Sequence, residues 1–226
     1  MAEQANRLHV VAFGAHAGDA DFTMAHVLAK YAREGHRATI VHVTLGEAGN
    51  PPMPREEYAA QRRREVEESC AIYGTVFRCL PYAERVFCDL IRELQPDIAI
   101  THWRGSLHRD HVLTWHLVTH GALLARLPSV RTDRPPHRVR DIWFAENWED
   151  PQGFTPEVYV DIGDVCDAWI EGANRHALFR GEVSRFPYQD YYKALARVRG
   201  AESGCRCAAA FMRLRPVEKQ ALQRFP

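Results

Sequence analysis

The chain has 226 residues, 46% of them hydrophobic and 26% charged, proportions that exclude a disordered or collagen-like chain and allow a real core. Twenty-nine basic residues offset 29 acidic ones, so no net field draws the protein to nucleic acid or to an anionic membrane. At this length a single domain over residues 1–226 is expected, with homo-oligomerisation left open.

In chain order, residues 8–15 form a continuous apolar run, the mark of a strand buried on both faces, and residues 20–34 switch to helical spacing. A β-branched run at 38–44 gives a second strand, and residues 56–73 a charged helix that stops at Gly74. The alternation continues with a strand at 76–80, a helix at 83–94, a strand at 97–101 and a helix at 110–127. Extended runs follow at 141–146 and 157–162, then helices at 165–179 and 188–199. Consecutive strand–helix units with right-handed crossovers imply an α/β fold, a Rossmann-like, doubly wound, mostly parallel sheet with helices on both faces. No apolar run approaches the roughly 18 residues of a membrane span, and the N-terminus lacks the flanks of a signal peptide, so the cytoplasm is the expected compartment. Six cysteines without a C-x-x-C pair read as buried reduced thiols.

Ligands of such sheets bind beyond the carboxyl ends of the strands, which singles out the loops 14–21, 45–54 and 102–111. His16 and Asp19 stand three residues apart where the first strand gives way to helix, and His108 and His111 repeat that spacing after the fourth. Imidazole nitrogen with carboxylate oxygen is a sound donor set for zinc, and His16, Asp19 and His111 would leave one position open. Two histidines and a carboxylate also suit iron(II), so Fe2+ stays open beside Zn2+. The glycines of 14–18 do not have the G-x-G-x-x-G spacing of a dinucleotide loop.

These residues resemble the PIG-L or LmbE-like family of zinc-dependent de-N-acetylases, which remove acetyl groups from N-acetylglucosaminyl conjugates. The family's A-H-P-D-D-x-E signature is matched by Ala15-His16-Ala17-Gly18-Asp19-Ala20-Asp21, and its T-x-G-E-x-G loop by Thr44 to Gly49. Gly35-His36, the helix carrying Arg62 and Glu65, His108-Arg109-Asp110-His111 for H-P-D-H, and the stretch from Phe154 to Ile162 continue the likeness in order. The resemblance implies a metal held by His16, Asp19 and His111. It implies His108 as an electrostatic or acid group near the scissile amide, and Asp110 or Asp21 orienting a ligand. Arg62 and Glu47 are expected on polar groups of the substrate, and the aromatic segment 143–154 on a sugar ring. The departure is Gly18, which stands where the family has its general-base aspartate. Asp21, Glu47 and His108 are the candidates to replace that base, and the alternative is a catalytically weak or inactive protein that binds metal and a sugar-like ligand.

Overall fold

A computed structural model describes residues 7–80 and 84–214. Its centre is a seven-stranded sheet. In chain order the strands are β1 (His9–His16), β2 (Arg37–Thr44), β3 (Val76–Cys79), β4 (Ile98–Thr101), β5 (Asp141–Ala145), β6 (Val158–Asp161) and β7 (Ala208–Arg213), and across the sheet they run β3-β2-β1-β4-β5-β7-β6. β1 to β5 are parallel, and β7 is inserted antiparallel between β5 and β6. The sheet is therefore the expected doubly wound, mostly parallel one.

Burial on both faces explains the continuous apolar run of β1. Val10 and Ala12 pack under α2 (Ala25–Arg33), α3 (Arg55–Tyr73), α6 (Cys166–Ala173) and α7 (Tyr188–Ser203), whereas Val11 and Phe13 face α4 (Glu84–Leu94) and α5 (Arg109–Ala125). α3 ends where expected, at Gly74 with φ of 70°. All six cysteines are free thiols, with Cys79 and Cys205 only half-buried. Among the described residues no helix is long and apolar enough to cross a membrane.

Two expectations are corrected, and one strand is added. The helix over 20–34 is two, α1 (Asp19–Thr23) and α2, because Met24 leaves helical geometry at φ −132° and the hydrogen-bond ladder restarts from its carbonyl. The helix over 165–179 stops at Ala173, and residues 174–187 fold back irregularly. β7 was not foreseen: Ala208-Ala-Ala-Phe-Met-Arg has no alternation and no β-branched residue, and it becomes a strand only because β5 and β6 offer their edges. The expected helix start at Ala83 lies outside the described residues.

From β1 the chain winds outward to β3 and then returns to place β4 on the other side of β1. The crevice at this reversal, beyond the carboxyl ends of β1 and β4, is where such sheets bind ligands.

Candidate functional site

β1 ends on His16, and the chain turns through Gly18 into α1, whose first residue is Asp19. Gly18 has φ of 99°, a conformation L side chains rarely adopt, and a Cβ there would lie 2.9 Å from Phe22 Cζ and 3.2 Å from Arg62 Nη2. The turn folds Asp19 back, so that its Oδ2 accepts the His16 backbone N–H at 2.8 Å and stands 3.3 Å from His16 Nδ1. Across the crevice α5 brings His111 Nε2 to 3.2 Å from the same oxygen. Ligand atoms about 2.0–2.1 Å from a tetrahedral ion lie about 3.3–3.4 Å from one another, so both contacts have the length of a ligand–ligand edge.

Among the described residues, two groups bring three potential ligand atoms within 4.8 Å of one another: His16, His108 and His111, and Asp19, His102 and His111. The expected trio of His16, Asp19 and His111 straddles these groups, tied together by Asp19 Oδ2, with the two imidazole rings 5.8 Å apart. His102 was passed over in the sequence, although its place directly after β4 was the available signal. It stacks on His111 at 4.0 Å, but its Nε2 lone pair accepts the Ala15 N–H at 3.0 Å, which makes it packing support.

Neighbouring carboxylates set the outer nitrogens. Asp110 Oδ2 lies 3.0 Å from His16 Nε2. On the far side of His111, Nδ1 meets Glu149 Oε2 at 3.3 Å, a residue sequence reasoning missed because it arrives on the loop after β5. His108 caps α5: its Nδ1 accepts the Asp110 N–H at 3.2 Å, so the neutral ring carries its proton on Nε2. Its ring lies 4.8 Å from His16 and 4.6 Å from His111.

The titration behaviour follows from these contacts. Burial opposes charge on Asp19, but His111 and His16 outweigh it and hold the carboxyl well below its usual range. Burial likewise opposes protonation of His16, yet Asp19 and Asp110 raise it to about 9. His111 is also raised, by Asp19 against burial, whereas burial and His111 together lower His108. A carboxylate that draws protons onto two imidazoles is equally suited to draw a divalent cation between them.

The site opens into a cleft of about 560 Å3. Glu47 lines it, carried on the loop that Gly46 seats against His16, where a Cβ at residue 46 would lie 3.3 Å from His16 Cβ. Of the four cleft carboxylates, Asp19, Asp110 and Glu149 each pair with an imidazole, and Glu47 alone has no hydrogen bond or ion pair among the described residues. Arg62 also lines the cleft but is 3% exposed, and its guanidinium bonds inward to the carbonyl of Ala17 and to Glu65. The aromatic residues of the wall are Tyr58 and Tyr188; from segment 143–154 only Glu149 lines the cleft, and Trp148 stacks on Phe186 instead.

Asp21 is the correction at this site. It is fully buried on the inner side of α1 and does not line the cleft, so it cannot meet a substrate or a water there. Its carboxylate accepts Ser69 Oγ–H at 2.5 Å and faces His42 Nε2 at 3.1 Å and His176 Nε2 at 3.2 Å. A side chain one methylene shorter than glutamate points into the protein, and two imidazoles come to meet it.

Comparison with known proteins places this geometry. Residues 11–122 match the family model described as PIG-L, GlcNAc-PI de-N-acetylase. A relative from Bacillus anthracis, named as a probable N-acetyl-alpha-D-glucosaminyl L-malate deacetylase 2, is 28% identical over 191 residues, covering 76% of this chain and 81% of its own. Among solved structures, GalB, the 4-carboxy-2-hydroxymuconate hydratase of Pseudomonas putida KT2440, superposes with a TM-score of 0.84 at 18% identity, over 95% of this chain and 99% of its own. The N,N'-diacetylchitobiose deacetylase of Pyrococcus horikoshii gives a TM-score of 0.78 at 23% identity, over 92% and 84%. At these identities the two structures establish the shared fold.

Proposed function

We propose that the chain is a de-N-acetylase of the PIG-L kind, a metal-dependent hydrolase removing the acetyl group from an N-acetylated amino-sugar conjugate. The observation that carries this reading is the pair of contacts, 3.3 and 3.2 Å, that His16 and His111 make to Asp19 Oδ2 in the crevice where the sheet reverses. His16, Asp19 and His111 are the ligand set, and zinc is the ion that best fits two imidazoles and a carboxylate. When bound, such an ion supplies Lewis acidity toward the acetyl carbonyl and lowers the pKa of water.

The chain's own side chains supply the rest. Glu149 and Asp110 accept the outer N–H groups of His111 and His16, which fixes tautomer and ring orientation. His108 presents Nε2–H to the cleft, because its Nδ1 is committed to the helix cap. It is thereby a donor for the acetyl oxygen as negative charge develops there, and is unsuited to act as the base. Asp21 is enclosed, and the carboxylates of Asp110 and Glu149 are engaged by imidazoles, so Glu47 is the group that takes the proton from the attacking water and returns it to the departing amine. Arg62 holds the Ala17 carbonyl and forms the floor under polar groups of the substrate.

Gly18 favours a second reading, in which the same cleft binds its ligand without hydrolysis or adds water to a different acceptor. The GalB match shows that this architecture also carries a hydratase. One experiment separates the readings: the purified protein, loaded with one equivalent of zinc, is assayed for acetate release from N-acetylglucosaminyl malate and other N-acetylglucosaminides. Release that is lost together with the metal in His111→Ala supports the deacetylase. Stoichiometric metal without release refutes it.

A further inference from the structure

Three of the six cysteines gather at the far edge of the sheet. Cys166 opens α6, and Cys207 immediately precedes β7. Their sulfurs are in contact at 3.5 Å, in a pocket where each residue is at most 5% exposed. Both backbones are held: Ile162 N–H bonds to the Cys207 carbonyl at 3.0 Å, and the α6 ladder begins beside Cys166 with Trp169 N–H to the Val165 carbonyl at 2.9 Å. Two residues earlier the half-buried Cys205 turns its sulfur toward the Cys207 carbonyl at 3.3 Å. The turn that carries it is packed tightly on α7, since a Cβ at Gly200 would lie 2.7 Å from the Cys205 carbonyl oxygen.

We propose that Cys166 and Cys207 are a reversible redox site, closed to a disulfide by a low-molecular-weight disulfide that enters at Cys205. A disulfide needs its sulfurs about 2.0 Å apart, about 1.5 Å closer than they stand, so closure asks each side chain to turn about its Cα–Cβ bond. Entry belongs to Cys205, because burial, with Cys207 beside it, pushes the Cys166 thiol up to about 11 and leaves it little thiolate.

The steps balance. Cys205 loses its proton and attacks one sulfur of the small disulfide, whose S–S bond breaks and releases the first small thiol. Cys207 then loses its proton and attacks the Cys205 sulfur, expelling the second small thiol. Cys166 attacks Cys207 in turn, and its proton passes to the Cys205 thiol that leaves. The net change is two protein thiols oxidised and one small disulfide reduced to two thiols. The product ties α6 to the outer strands. Because Trp169 on α6 donates its indole N–H to the Asp21 carbonyl at 3.0 Å, the cross-link also braces the helix behind α1.

The test treats the reduced protein with oxidised glutathione, alkylates remaining thiols under denaturing conditions, and maps peptides without reduction. The expected result is a Cys166–Cys207 cross-linked peptide with the other four cysteines alkylated, reversed by dithiothreitol, and a rise in Tm of about 5–10 °C that is absent in Cys166→Ala. Cys205→Ser is expected to slow closure at least tenfold. Six alkylated cysteines, or a glutathione adduct that persists on Cys205, overturns the proposal, and closure at an unchanged rate in Cys205→Ser overturns the route of entry.

Discussion

Replacing Gly18 by aspartate would restore the family's base on paper, and the structure forecasts that it fails. Residue 18 sits at φ of 99°, where a side chain costs about 1–3 kcal/mol. Its Cβ would also press on Phe22 at 2.9 Å and on Arg62 at 3.2 Å, inside a packed wall where overfilling costs about 1–3 kcal/mol more. The combined loss of about 2–6 kcal/mol corresponds, at this size, to a fall in Tm of roughly 5–20 °C. Movement of Arg62 would also break its bond to the Ala17 carbonyl and disturb the turn that aims Asp19. The expected outcome is therefore a destabilised protein with no gain in kcat. Gly18→Ala serves as the control, since it carries the same strain without a carboxylate. Thermal unfolding and acetate release, measured side by side on both variants, decide the matter. An aspartate variant with unchanged Tm and a kcat raised tenfold or more would refute the reasoning, because the loop would then accept a side chain and the missing base would have been limiting.

Three further outcomes follow, two from the cleft carboxylates and one from a buried histidine in the core. Glu47→Gln is expected to retain stoichiometric metal while kcat falls about 10²- to 10⁴-fold, the usual worth of a general base, and an unchanged kcat assigns the proton transfer elsewhere. Glu149→Gln removes the charge behind His111 and is expected to weaken metal binding about 10- to 100-fold in a chelator competition, with kcat at saturating metal far less affected. The acid sensitivity of the fold has a contributor remote from the site. Burial depresses His26 to about 3, so below pH 6.5 the unfolded chain takes up a proton that the folded protein refuses. Its contribution to stability is intact above pH 6.5 and is lost toward pH 3 at about 1.4 kcal/mol per unit, so denaturant titrations of His26→Phe at several pH values should show a slope shallower by one proton.

The chemistry of the site was legible where it is local. His16 with Asp19, and His108 with His111, each lie three residues apart at the mouth of a helix, so a strand end and one helical turn suffice to put both members on one side. Glu149 had no such signature, because its relation to His111 exists only after β4 and β5 are laid side by side, and His102, nine residues before His111, has no helical spacing to it. Asp21 was misjudged for the same reason. Its neighbours in sequence face the cleft, but His42 from β2, Ser69 from α3 and His176 from the segment after α6 form a polar chamber that captures it.

What the residue order determined by itself is the parallel core of the fold and the donor chemistry at its edge. Burial on two faces demands unbroken apolar strands, glycine marks where α3 stops, and imidazole–carboxylate spacing is written in single loops. Tertiary structure alone decided which strand joins β5 to β6, which carboxylate in the cleft is left unpaired, and that Gly18 sits in a strained backbone position with Phe22 and Arg62 against it. Each of these depends on groups far apart in the chain meeting in a space only the folded molecule creates: an alanine-rich stretch is a strand between two open edges, and a side chain at residue 18 is strained where Phe22 and Arg62 already fill the room.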